Sequence, residues 1–479
     1  MRNRAKIFIE NFLAYGAINV LNKVVPLLML PIITRLLTDT AEFGRFDMFN
    51  TIVSFGSSFA MLGMYDAMFR EYFEKDDKDY KDQVTSTALI IVLISSVVVT
   101  VIMIIFNRFF SQIFLGNKQS GFIVITAALG VFFISSKNII SAPTRIENKR
   151  KVYVVSGLLN SICYYLLALI LVVRGSGYKG LIFANLISTI VIIIFFSLKN
   201  RRYFNLKVYN KTIGKELFKV GLPILPTFII YWVFSSMDKI MIANILDVSQ
   251  VGIYSIGARV ASISNFVYMA FSGGWQYFAF STMKDTDQVE LNSKVFEYLG
   301  IISFIIFLIS TIFNEFLFKF VFEGDYVLGF VVFPYLFLSP LLLMLFQVSG
   351  NQFLVIKKSY LITVSLVFGA IANIVLNYFL IQLYGVKGSA LATLIGYSIS
   401  VIMMTIMTQK RELLKLKPRF LLSSILTTIV IIGIFLLGSS LNYMFSITVV
   451  LIILVLYVDD LKVIRKKLFE NRISNKRCK

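Results

Sequence analysis

Apolar residues in this chain run in blocks too long for strands and too continuous for the stripes of surface helices. The first extends from about Asn11 to Leu37, and others follow near 45–69, 84–106, 121–142, 152–173, 180–198, 218–246 and 250–280. Six more lie near 295–322, 330–355, 360–382, 386–408, 420–440 and 443–458. About 20 apolar residues suffice for a helix to cross a bilayer, so the pattern predicts fourteen membrane-spanning helices. The 250–280 block exceeds one span, so its inner end is expected to bend or to lie in the interface. Every gap is short, the longest being the stretch around Lys199–Lys219, which leaves no room for a soluble catalytic domain. The first block exceeds a signal-peptide core and has no small-residue cleavage site, so it reads as a retained helix.

The polar gaps carry a sided charge. With the N-terminus inside, alternate gaps and both tails hold 35 of the 47 Lys and Arg, against 8 in the opposite set. This positive-inside bias predicts cytoplasmic termini. It also accounts for most of the +21 net charge as topology and lipid-headgroup contact, so no nucleic-acid partner is expected. Composition agrees: 57% of residues are hydrophobic and the mean hydropathy is +0.80. The absence of His removes imidazole relays, Ser-His-Asp triads and His-bearing zinc sites. Two Cys and no G-x-x-x-x-G-K-[ST] loop leave no disulfide framework, metal cluster or ATPase to expect. The chain reads as non-enzymatic, without cofactor or metal.

An offset of 208 residues matches Asp39 with Asp247 and Gly44 with Gly252, and pairs Lys149 and Arg150 with Lys357 and Lys358. It also pairs Lys179, Gly180, Ala184, Leu186 and Ile187 with Lys387, Gly388, Ala392, Leu394 and Ile395. The spans then divide as six, six and two. Because six is even, the halves share one membrane orientation, the parallel-repeat plan of a transporter. The expected divisions are 1–214 and 215–418 as two six-helix lobes, and 419–479 as two extra helices with a basic tail.

Some charges lie within spans. Lys23 sits mid-span on a face shared with Asn19, Asn22 and Pro26. In the second span Asp47, Asn50, Thr51, Ser54 and Ser58 form a polar stripe, with Asp66 beside its inner end. The seventh span carries Asp238 and Lys239, and the eighth Ser255 and Arg259. A charge at bilayer centre costs about 2.5–3.5 kcal/mol, so Lys23, Lys239 and Arg259 must face a wet cavity or one another. One reading makes them structural ion pairs, with Asp238, taken as the only central carboxylate, neutralising Arg259 or Lys23. The other makes Lys23, Lys239 and Arg259 the lining of a cationic cavity. Asn19, Asp66, Asp238, Arg35 and Arg45 are candidates for lining it or for ion coupling. Interfacial anchoring competes for Arg35 and Arg45, and pairing with Arg70 competes for Asp66. Lys137, near the inner end of its span, is expected to snorkel.

Several segments carry a resemblance: LLTDTAEFGRF (36–46), LGMYDAMFREY (62–72), FKVGLPILPT (218–227), SSMDKIMI (235–242), VGIYSIGARV (251–260) and YGVKGSALAT (384–393). In this order and spacing the chain resembles the Wzx-type polysaccharide flippases of the multidrug/oligosaccharidyl-lipid/polysaccharide exporter superfamily. The resemblance implies an all-α, MATE-like polytopic fold in a bacterial inner (plasma) membrane. It also implies translocation of an undecaprenyl-pyrophosphate-linked oligosaccharide for O-antigen or capsule-type polymers, with polymerase and ligase partners. In such flippases a cationic cavity receives the anionic headgroup, which nominates Lys23, Lys239 and Arg259 here. Basic residues near mid-membrane independently favour an anionic ligand. The rival reading is a cation-coupled drug or metabolite antiporter, which would instead depend on Asp66 or Asp238.

Overall fold

The computed structural model describes residues 24–205, 208–282, 285–356, 358, 360–437, 442–460 and 462. Among these, every regular element is helical. The helices are α1 (Val24–Leu36), α2 (Thr40–Met61), α3 (Met64–Tyr72), α4 (Lys78–Ile105), α5 (Asn107–Leu115) and α6 (Gly121–Ile146). They continue as α7 (Arg150–Leu171), α8 (Gly177–Lys199), α9 (Lys211–Ile245), α10 (Val248–Ala261) and α11 (Ser264–Ser281). The last are α12 (Gln288–Val321), α13 (Phe333–Val355), α14 (Tyr360–Gln409), α15 (Pro418–Leu437) and α16 (Asn442–Leu456).

Eight helical runs are long and apolar enough to cross a membrane, or nine with α2 and α3, bent by 43°, taken as one span. Two of these runs, Arg150–Lys199 and Tyr360–Gln409, are 50 residues long. A straight helix of that length would measure about 75 Å, more than twice a hydrocarbon core of about 30 Å. Each therefore folds back on itself. In α14 the returning half packs on the outgoing one through Gly369 against Gly396, and Asn373 Nδ2 donates to Thr393 Oγ1 at 3.2 Å. With each hairpin counted as two passes, these runs give eleven; the shorter apolar helices α1 and α16 and the broken α10–α11 stand at the places of the other three predicted passes. The long 250–280 block breaks after Ala261, near its middle, whereas the bend was expected at its inner end.

Both hairpins turn on repeat-equivalent glycines. Gly177 has φ 52° and ψ −139°, and Gly385, 208 residues on, has φ 59° and ψ −142°. L side chains avoid this region. A Cβ on Gly385 would meet open space apart from Leu246, whereas one on Gly177 would strike the Glu42 carboxylate. Gly385→Ala is therefore expected to cost about 1 kcal/mol from backbone strain alone. Gly177→Ala should cost more, because Glu42 Oε2 accepts the Tyr178 N–H at 2.6 Å and would be displaced. Thermal unfolding of the two variants checks this, and equal losses would contradict it.

The chain divides into two compact units. The first comprises Met1–Arg259, Val321–Gly329 and Leu376–Ser389. Its apolar core joins Ala67 and Met68 of α3, Ala88 and Val92 of α4, Ile139 and Ala142 of α6, and Leu217 of α9. In lipid there is no hydrophobic drive between helices, so small residues such as Ala67, Ala88 and Ala142 matter by letting backbones approach. Beside this core the loops are latched by polar contacts. Tyr72 Oη donates to Glu147 Oε1 at 2.5 Å. Burial alone pulls the Glu147 carboxyl upward, but hydrogen bonds from Tyr72 and Tyr203 and the charges of Lys149 and Arg202 outweigh it and hold it below the ordinary carboxylate range.

The second unit comprises Val260–Phe320, Phe330–Val375 and Ala390–Lys479. Here Glu297 of α12, only 3% exposed, accepts from Arg419 Nε at 2.6 Å and from Tyr457 Oη at 2.9 Å. The Arg419 guanidinium also lies 4.3 Å from the Tyr457 ring centroid. Thr311 and Ser446 hydroxyls meet at 2.9 Å further along. The last two helices are thus pinned to α12 by a buried carboxylate.

Candidate functional site

The first unit contains a cavity of about 1080 Å³. One face of α2, from Phe43 to Met61, runs along it, a length of about 27 Å at 1.5 Å per residue. That approaches the thickness of a bilayer core. The wall on α6 is Ile134, Lys137, Asn138, Ser141 and Arg145, a helical face. α7 and α8 add Asn160, Ser161, Tyr164, Tyr165, Asn185 and Ser188. Arg259 enters from α10 and Asp66 from α3. The lining mixes hydroxyls, amides and tyrosines with apolar side chains such as Leu30, Ile33 and Phe196, and holds three cations against one carboxylate.

Asp47 lies beside this space and is 3% exposed. Lys239 Nζ stands 2.6 Å from its Oδ2 and Arg259 NH2 2.8 Å from its Oδ1. Ser255 Oγ donates to Oδ2 at 2.8 Å. The carboxylate is sunk while the basic side chains stay 21% and 34% exposed, so the group keeps one excess positive charge. Arg259 also stacks over Phe43, with 4.7 Å to the ring centroid. The pairing expected of Asp238 for Arg259 falls to Asp47, and Asp238 is not the only buried carboxylate within the spans. Asp238 itself accepts from Tyr254 Oη at 2.6 Å and Asn377 Nδ2 at 2.7 Å, while Ser389 Oγ donates to Asn377 Oδ1 at 2.7 Å.

The helices that make this constellation cross reciprocally. Asp39 caps α2 by accepting the Ala41 N–H at 2.8 Å. Its repeat partner Asp247 accepts the Gln250 N–H at 2.9 Å at the start of α10. One turn into each helix, a Cβ on Gly44 would strike the Val248 carbonyl oxygen, and one on Gly252 would strike the Thr40 carbonyl oxygen. Thr40 and Val248 are themselves 208 apart, so the contact has the i-to-j, j-to-i form of a two-fold axis. Asp47 and Ser255, one turn further, are the next equivalent pair, and their side chains meet across it.

The other sequence candidates separate. Arg35 pairs with Glu323 at 3.0 Å, with side chains 52% and 69% exposed, and Arg45 pairs with Glu42 at 2.9 Å. Neither is among the residues lining the cavity, so for both the cavity role gives way to surface ion pairing. Arg70 pairs with Glu71 at 2.8 Å, leaving Asp66 to the cavity. Lys137 does not snorkel to a surface; it lines the cavity wall. Lys23 and Asn19 lie outside the described residues. Asp47 is the residue that the sequence reading placed on a polar stripe without giving it a role.

A profile for the polysaccharide biosynthesis protein family matches residues 32–326. Among solved structures, the lipid II flippase MurJ in an inward closed conformation is 14% identical, with 93% of this chain and 99% of that one covered at a TM-score of 0.71. An inward-facing multidrug resistance MATE family transporter of the MOP superfamily is 17% identical, covering 81% of this chain and 94% of that one at a TM-score of 0.63. The Vibrio cholerae MATE transporter VcmN in its bent form is 14% identical, covering 86% and 98% at a TM-score of 0.53. No curated protein sequence matches the chain. The likenesses establish the all-helical, multi-pass fold that the apolar blocks predict, in the MATE-like form that the resemblance implies. Since the matched segment spans more than half of its length, the chain belongs to the polysaccharide biosynthesis protein family.

Proposed function

We propose that the protein is a flippase. It carries an undecaprenyl-pyrophosphate-linked oligosaccharide from the inner to the outer leaflet of a bacterial plasma membrane. The observation that carries this reading is the cavity: it runs along a helix face about as long as a bilayer core, and three cations and one carboxylate stand among its hydroxyl, amide and apolar lining. Hydroxyls and amides suit a glycan, excess positive charge suits pyrophosphate, and a family devoted to polysaccharide biosynthesis needs such a step. With cytoplasmic termini the Arg145 end of the cavity faces inward and the Asp47 crossing lies toward the outside. The lobes 1–214 and 215–418 rock about that crossing, giving alternating access. Lys239 and Arg259 supply positive potential near the outer part of the path, and Lys23, placed mid-span by the sequence, is expected to add to it. An inside-negative membrane assists by about 2.3 kcal/mol per charge per 100 mV. The product then serves a polymerase and ligase that build an O-antigen or capsule-type polymer.

One observation favours the antiporter as a second reading. Asp238 is a buried carboxylate whose donors include the neutral groups of Tyr254 and Asn377, which suits a coupling ion.

The two are separated with purified protein in liposomes bearing a fluorescent undecaprenyl-pyrophosphate oligosaccharide and an impermeant quencher. Flipping by the wild type is expected, and Arg259→Ala is expected to slow it about tenfold or more, the effect of losing roughly 1.4 kcal/mol. No flipping, together with export of a cationic dye under an ion gradient that Asp238→Asn abolishes, would replace the flippase with the antiporter.

A further inference from the structure

We propose that Lys137 is the cation that receives the phosphates in this cavity, and that the ligand lies with its charged end toward Arg145 and its hydroxyl-bearing end toward Arg259. This rests on the flippase reading and assigns the parts of its site.

The three cavity cations are not equivalent. Arg259 is bound to Asp47 at 2.8 Å and stacked on Phe43. Arg145 NH1 donates to Tyr65 Oη at 2.8 Å, and its guanidinium lies 5.8 Å and 5.7 Å from the Tyr65 and Tyr153 ring centroids. Lys137 is half-buried on α6, lines the same space, and has no ion-pair or hydrogen-bond partner among the described residues. A lone ammonium within a span costs free energy that only water or an anion offsets. Lysine binds phosphate as a point charge on a flexible stem. Asn138 and Ser141, on the same wall, can add neutral contacts within a turn. Arg145 follows about 12 Å further along α6, at the end where Asp66 limits the positive charge.

The opposite direction is chemically different. Ser57 Oγ and Asn185 Oδ1 are buried side-chain atoms of the cavity wall without a hydrogen-bond partner. Gly130 of α6 lies against Val53 and Leu186, so Asn185 stands near Gly130, about 10 Å from Lys137 toward the Arg259 end. An orphaned acceptor costs free energy when buried, and sugar hydroxyls are suitable donors. Charge near Lys137 and acceptors beyond it give the cavity a polarity that matches a phosphate joined to a glycan.

The test uses the full chain in nanodiscs and farnesyl pyrophosphate as probe, with affinity read by calorimetry and stability by thermal unfolding. Lys137→Gln is expected to weaken binding about tenfold or more, while Lys137→Arg and Lys118→Gln, at an exposed lysine outside the cavity lining, each stay within about threefold of wild type. Lys137→Gln should also unfold at or above the wild-type temperature, since it removes an unpartnered charge. Undiminished binding by Lys137→Gln would overturn the assignment and leave the flippase intact. A Lys137→Gln protein that is clearly destabilised or unfolded would mark Lys137 as structural and overturn it equally. If the wild type binds no pyrophosphate probe at all, the flippase reading falls and the assignment with it.

Discussion

Asp47→Asn is expected to destabilise the protein by about 3 kcal/mol, near the lower end of the about 3–5 kcal/mol seen when one partner of a buried ion pair is removed. The substitution conserves shape but leaves Lys239 and Arg259 facing each other across a neutral amide. Both were within 2.8 Å of the carboxylate. Like charges brought this close repel. Partial exposure of the two basic side chains lets water screen some of the repulsion, which is why the lower end of the range applies. Adding Lys239→Met should recover a large part of the loss, because the remaining Arg259 can then turn to the cavity water. The pair of changes forms a double-mutant cycle whose coupling is expected at about 1–3 kcal/mol. Thermal unfolding in detergent measures it. A midpoint for Asp47→Asn equal to wild type would mean that the three side chains do not form the buried group described above.

The contrast between Asp47 and the apolar blocks shows what a single sequence carries. Spans were legible because a bilayer demands long, continuous apolar runs and because every backbone polar group must be satisfied within the helix. Lys239 and Arg259 stood out for the same reason: charge in such a run is costly. Their partner was obscured. Asp47 lies more than 190 residues from Lys239, and periodicity says which residues share a helix face but not which faces meet. The repeat held the missing clue. At an offset of 208 Asp47 falls on Ser255, one turn from Gly44 and Gly252, and two glycines at equivalent places mark helices close enough for their neighbours to touch. Lys137 was misjudged for a related reason: snorkelling assumes that a helix faces lipid, and this face of α6 borders the cavity. The hairpin turns at Gly177 and Gly385 were likewise hidden, since sequence shows a glycine but not its φ.

The same geometry predicts an unusual equality. Gly44→Ala and Gly252→Ala should each cost about 1–3 kcal/mol, the usual range for an added group in a packed contact, and should agree within a few tenths of a kcal/mol. Each new methyl runs into a backbone carbonyl, Val248 in one case and Thr40 in the other. A carbonyl held in a helix cannot swing aside as a side chain can, so the helices must separate. Separation by either route stretches the same contacts: the Thr40–Ser249 hydroxyl bond and the Ser255 bond to Asp47. The double variant should therefore lose clearly less than the two single losses together, because the first methyl already opens the space that the second needs. For the same reason Asp47→Asn should be milder in the Gly44→Ala background. Thermal unfolding of the two single variants and the double decides the matter. Strictly additive losses, or a loss at only one of the two glycines, would mean that α2 and α10 do not meet across a two-fold contact, and the reciprocal crossing would have to be abandoned as the pivot of the proposed transport cycle.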